Sequence, residues 1–337
     1  ISSAATKHMR FKFTIFLLAL NVISFGLIAY LNHQAKQIEP STGGLSGQIG
    51  RELIDADRIE LHGRGIETPR ILEREGSTWY LIEPMQWSAN YFAINRILNQ
   101  LQFLEEEASF PVDDIEKTGQ TLADYGLENP LLRILIAEGE ESISLSIGTL
   151  TEIGNNVYLL GPDEREIFVV NRQTIDGLLV DLNDLRSREI FDIPVFEVDA
   201  LGLQIRSENT ADGSSLRVRL ARNNGTWAFE APLAAKADHT LVDNTINTLT
   251  AAKVGRFIET EQTNLMLQGL ENPFMQVTIH GNKRRQTLIV GNLDPDSKGA
   301  PQYFAKLENN PAIFTVLARP FDILLEAQDA LRERKFM

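Results

Sequence analysis

The chain has no cysteine among its 337 residues. That excludes a disulfide scaffold, a thiolate metal site and a thiol nucleophile. Basic residues are few: 32 Lys+Arg stand against 46 Asp+Glu, a formal net charge of −14. A general nucleic-acid binder is excluded, because neutralising phosphates takes clustered Lys and Arg. Histidine is sparse, and His8, His33, His62, His239 and His280 lie apart, with no HExxH-type pair. They read as surface or strand-face histidines. No GxSxG elbow, Walker loop or kinase signature occurs, so no catalytic residue, metal or cofactor is expected. Apolar residues, at 43%, are ample for a core and rule out wholesale disorder. At ~100–200 residues per domain, the length suggests two domains.

One long uncharged run is present. Residues 13–31 read FTIFLLALNVISFGLIAYL, nineteen residues without a charge. At ~1.5 Å per helical residue this nearly matches a hydrocarbon layer of ~30 Å. Lys7, Arg10 and Lys12 precede it with no acid between them, which puts residues 1–12 in the cytoplasm. A cleaved signal peptide has a shorter apolar region of ~7–15 residues and a small-x-small site; LNHQAKQ offers none. The expectation is an uncleaved single-pass anchor in a lipid bilayer, with the bulk of the chain on the side away from the cytoplasm. Asn21, Ser24 and Gly26 interrupt its aliphatic pattern. Small and polar residues on one face often mark helix–helix contact in lipid, so these three are the candidate contacts with a partner's transmembrane helix. Residues 32–50, with Pro40, Gly43, Gly44, Gly47 and Gly50, read as a flexible linker. No strand precedes these glycines, so they are not a dinucleotide fingerprint.

The remainder is one module written twice. Gly126-Leu127-Glu128-Asn129-Pro130 recurs as Gly269-Leu270-Glu271-Asn272-Pro273, and Ile147-Gly148 as Val290-Gly291. Upstream, Trp79 and Pro84 match Trp227 and Pro232; downstream, Leu185-Arg186 matches Leu331-Arg332. All matches fall in order at nearly constant spacing, which is the mark of a duplication. The copies are set at 51–192 and 193–337.

Each copy begins with short alternating segments, 58–61, 70–73 and 78–82 in the first, as half-buried antiparallel strands require. A helix follows. Ile94, Ile97, Leu98, Leu101 and Leu104 make one apolar stripe, with Asn90 or Ser88 as cap; Val242, Ile246 and Leu249 with Asp238 repeat it. A helical turn over 121–125 ends at Gly126. Strands then return over 131–137, 142–147, 156–160 and 166–170, and a last helix covers 172–182. The predicted class is α+β: two tandem repeats of a mainly antiparallel sheet with one or two packed helices, preceded by a single transmembrane helix.

Several clusters were weighed as sites. Asn292, Asp294 and Asp296 alternate as in a calcium loop, but Ser297 and Tyr303 stand where Gly and Glu are needed; a polar turn explains them. Glu105-Glu106-Glu107 reads as a solvated helix end, and Lys283-Arg284-Arg285 as a hairpin tip. Trp79 and Trp227 fit a repeated core position better than a sugar- or peptide-stacking platform.

With Leu122-Ala123-Asp124-Tyr125 running into GLENP, then Ile147-Gly148 and Leu185-Arg186, the chain resembles the bacterial domain of unknown function 4340. The second copy departs, with Leu265-Met266-Leu267-Gln268 in place of LADY. The family has no established activity. The resemblance implies a context: such proteins are commonly encoded beside an ABC-type permease, its ATPase and a gliding-motility-like auxiliary protein. The resemblance thus implies a bacterial cytoplasmic membrane with the bulk of the chain in the periplasm, and the expected function is a non-catalytic, membrane-anchored accessory or scaffold subunit of such a complex, with transmembrane subunits as partners. The alternatives are an envelope carbohydrate- or peptide-binding module and an envelope hydrolase using carboxylates.

Overall fold

Each repeat builds its own antiparallel sheet. The computed structural model describes residues 45, 49, 56–206, 216–232, 234–259 and 263–324. The first sheet contains β1 (Arg58–His62), β2 (Arg70–Glu75), β3 (Thr78–Glu83), β4 (Trp87–Ser88), β5 (Glu106–Pro111), β6 (Leu132–Glu138), β7 (Glu141–Leu150), β8 (Asn156–Leu160) and β9 (Glu166–Asn171). The second contains β10 (Val198–Ile205), β11 (Leu216–Asn223), β12 (Thr226–Ala231), β13 (Ala235–Lys236), β14 (Val254–Phe257), β15 (Met275–Gly281), β16 (Arg284–Leu293), β17 (Gln302–Leu307) and β18 (Ile313–Leu317). The strand orders are β4-β3-β2-β1-β6-β7-β8-β9-β5 and β13-β12-β11-β10-β15-β16-β17-β18-β14. Position for position these are the same topology, which is what a duplicated sequence should produce.

The long helix of each copy lies where its stripe requires. In α1 (Tyr91–Gln102) the Asn90 side chain accepts from the Phe92 amide, and Ile94, Ile97 and Leu101 are buried. In α5 (His239–Thr250) Asp238 accepts from the Leu241 amide, and Val242, Ile246 and Leu249 are buried. Each stripe closes the core over one face of its sheet, with Ile59, Leu72, Leu81 and Ile134 beneath α1 and Leu201, Val277 and Leu288 beneath α5. A large aliphatic side chain removed from water in this way contributes about 1.5–3 kcal/mol.

Four local expectations need correction. The helix expected over 172–182 is two short pieces, α3 (Arg172–Asp176) and α4 (Leu182–Leu185). Gly177 ends the first, and Leu178 and Val180 then turn into the core, fully or nearly fully buried. A helix α2 (Val112–Lys117) precedes the GLENP motif, while 121–125 is a turn, with Asp124 accepting from the Thr121 amide at 2.7 Å. The helix end expected at Glu105–107 falls earlier, because α1 stops at Gln102 and Glu106 and Glu107 enter β5. There Glu106 accepts from the Leu45 amide at 3.2 Å, and Glu107 from Asn156. Leu45 and Ile49, inside the stretch expected to be a linker, are helical and fully buried in the first core.

The anchor over 13–31, with Asn21, Ser24 and Gly26, lies outside the described residues, as does Arg332. Among the described residues, no helix is long and apolar enough to cross a membrane.

Trp87 joins the two sheets. It belongs to β4 of the first, yet it packs in the second core, edge-on to Phe257 and Phe314 with ring centroids 5.3 Å from each. Its indole N–H donates to the Ser187 carbonyl at 2.8 Å. The chain crosses in the same place: Ile190, Phe191 and Ile193 are already in the second core. A bridge between Glu189 and Lys253, and the Asn310 amide donating to the Gln86 carbonyl at 2.9 Å, complete the seam.

Candidate functional site

The repeated motif is the natural place to look for a site, and its side chains and backbone are taken up by the fold. Gly126 and Gly269 take φ of +69° and +71°, which lets the chain reverse after the turn. Gly148 and Gly291 lie directly against that turn. A Cβ on Gly148 would overlap the Tyr125 carbonyl oxygen, and one on Gly291 that of Gln268. The same carbonyls accept the next amides, Thr149 N–H at 2.9 Å and Asn292 N–H at 2.8 Å. The GLENP turn and the "IG" step are therefore two halves of one close contact, at the irregularity in β7 and again in β16. The tyrosine that precedes the first glycine stacks edge-on to Tyr158 at 4.8 Å, and burial pushes its hydroxyl pKa up. In the second copy buried Gln268 takes its place and accepts from the Asn264 amide.

The other weighed residues are also accounted for. Trp79 is 7% and Trp227 1% exposed, so neither is a stacking platform. Each carries an arginine over its face, Arg74 at 5.9 Å and Arg222 at 6.0 Å, a repeated cation–π pair. Asp294 is buried, paired with Arg256 at 2.8 Å, and also accepts the Asp296 amide. The Asn292 side-chain Nδ2 donates to the Leu267 carbonyl. Among the described residues no group of three or more His, Asp or Glu could hold a metal. Asn282 and Lys283, with φ of 48° and 60°, form the two-residue hairpin turn between Gly281 and Arg284. Arg284 and Arg285 then pair with Glu197 and Glu308, each at 3.0 Å.

Two clefts flank the seam. The larger, about 550 Å³, is lined by Tyr80, Trp87, Asp192, Arg284, Arg285 and Asn310 among others. Its charged groups are matched: Arg284 also reaches Asp192, and Gln286 accepts the Asp192 amide. The smaller, about 490 Å³, lies between the β1–β2 connection and the end of β14, and two arginines line it, Arg70 and Arg186. Arg186 is 3% exposed. Its guanidinium lies over the Phe257 ring at 4.6 Å and makes one long hydrogen bond, Nη1 to Asn183 Oδ1 at 3.5 Å. Its Nε–H is buried without an acceptor among the described residues. Burial holds the Arg186 pKa below its ordinary value; the charge of Glu259 opposes this and that of Arg70 adds to it. Arg70 donates to the Val180 carbonyl, and its pKa is likewise lowered by burial.

Sequence reasoning missed Trp87, Arg70 and this use of Arg186. A signal existed. Counted from the paired Arg74/Trp79 and Arg222/Trp227, Arg70 stands where the second copy has Val218, and β13 carries Ala235 where β4 carries Trp87. Departures from the repeat mark the seam.

The family described as Domain of unknown function (DUF4340) matches residues 79–226 and again 227–337. Both segments start at the equivalent tryptophan. No curated protein and no solved structure matches the chain.

Proposed function

Because the chain belongs to the DUF4340 family, in two tandem copies, we propose that it is a non-catalytic scaffold or accessory subunit of an ABC-transporter-like envelope complex. The uncharged run over 13–31 anchors it in the cytoplasmic membrane, and the lobes stand in the periplasm. One observation carries the reading: in both copies the shared motif residues hold the fold together, so what the copies offer to other molecules is surface. Two lobes of one topology, locked by Trp87, suit a rigid platform that holds two sites of a partner at fixed separation. Asn21, Ser24 and Gly26 would contact the transmembrane partner.

The test is gentle detergent extraction of the full chain, followed by identification of what remains bound. Permease-type membrane subunits are expected to be retained, and Asn21→Leu/Ser24→Leu to reduce their recovery. A lone monomer, or recovery unchanged in the double variant together with no membrane subunit, would overturn the proposal.

A further inference from the structure

We propose that the smaller seam cleft, lined by Arg70 and Arg186, binds a ligand through a monoanionic carboxylate. A guanidinium carries five N–H donors, and a buried charge is ordinarily paired or fully hydrogen-bonded. Arg186 has neither. It is 3% exposed, and among the described residues its one side-chain hydrogen bond is 3.5 Å long and its Nε–H has no acceptor. Arg70 shares the cleft, and its charge disfavours that of Arg186, although Glu259 acts on Arg186 in the opposite direction and Asp181 does so on Arg70. No carboxylate lies within ion-pair distance of either among the described residues. An oxyanion between them would give the two guanidinium groups a counter-charge and an acceptor at the cleft, and the planar guanidinium fork matches a carboxylate.

The rim argues for a single negative charge. Glu67 and Glu259 also line the cleft and would oppose a dianionic phosphate more than a carboxylate. The site belongs to the seam and not to the repeat, since Val218 replaces Arg70 in the second copy. The cleft, about 490 Å³, exceeds what a carboxylate alone fills, so the anion is one end of a larger ligand. This inference goes beyond the scaffold reading and is independent of it: a negative result here leaves the extraction experiment untouched.

The test is calorimetric titration of the full chain in detergent micelles with sodium acetate. Sodium chloride at matched ionic strength and inorganic phosphate serve as the comparisons. Saturable acetate binding is expected. Because Arg186 is buried in the seam and its replacement risks the fold, the variants are at the rim. Arg70→Gln is expected to weaken acetate by at least about tenfold. Glu259→Gln, at an exposed position, is expected to tighten it by about threefold, because a repelling charge is removed. Three results would each overturn the assignment. One is no saturable heat beyond chloride. Another is equal affinity in wild type and Arg70→Gln. The last is tighter binding of phosphate than of acetate.

Discussion

Single residues explain why this chain is recognisable at all. GLENP and the "IG" step are far apart in sequence, yet they meet as a turn with a left-handed glycine pressed by a strand glycine. The first glycine is chosen for its φ, the second because any side chain would occupy the space of a carbonyl oxygen. Gly291→Ala is therefore expected to destabilise the second lobe by about 3 kcal/mol, at the upper end of overpacking costs. Urea unfolding would report it as a lower midpoint with unchanged slope; an unchanged midpoint would contradict the contact. At this scale much was legible beforehand. Asn90 and Asp238 were readable as caps because short polar side chains before an apolar stripe have one common use. Arg186 was not, since its burial depends on Phe257, about seventy residues further along.

Among the elements, α1 and α5 were readable because a helical stripe is a local pattern that survives packing. The strands β1, β2, β3, β6 and β8 were readable for the same reason. Elements set by remote partners were not. The edge strand β5 is mostly exposed and, among the described residues, pairs only with β9, more than fifty residues later, so its own residues carry no alternation. The last helix of the first copy was misread because Leu178 and Val180 continue an apolar pattern across the break at Gly177. Trp87 shows what a two-residue strand can do when its side chain crosses to another core. Trp87→Ala is expected to cost about 3–5 kcal/mol, the usual range for emptying a large aromatic site. The cost falls on the joint, so calorimetry of the full chain should replace one shared unfolding transition by two. A single transition moved as a whole would instead mean that the lobes are coupled through other contacts.

For the whole molecule, the duplication was plain in the sequence, and so was the α+β class with antiparallel sheets. The identity of strand order in the two copies was not, because pairing partners are not encoded in any short stretch. The topology across the membrane has a direct test that the absence of cysteine makes clean. Ile153 is 89% exposed in the first lobe, and Ile153→Cys would be the only thiol in the chain. A membrane-impermeant maleimide should label it in intact spheroplasts; labelling only after lysis would place the lobes on the cytosolic side. The identical strand order also has a consequence for biosynthesis. Each nascent hairpin meets two near-equivalent templates, its own and its sister's, and exchange between repeats is a common route to misassembly. The side chains that differ at matched positions, Arg70 against Val218 and Trp87 against Ala235, make the two templates unequal. Divergence at the seam thus leaves the two pairings distinguishable by side-chain fit.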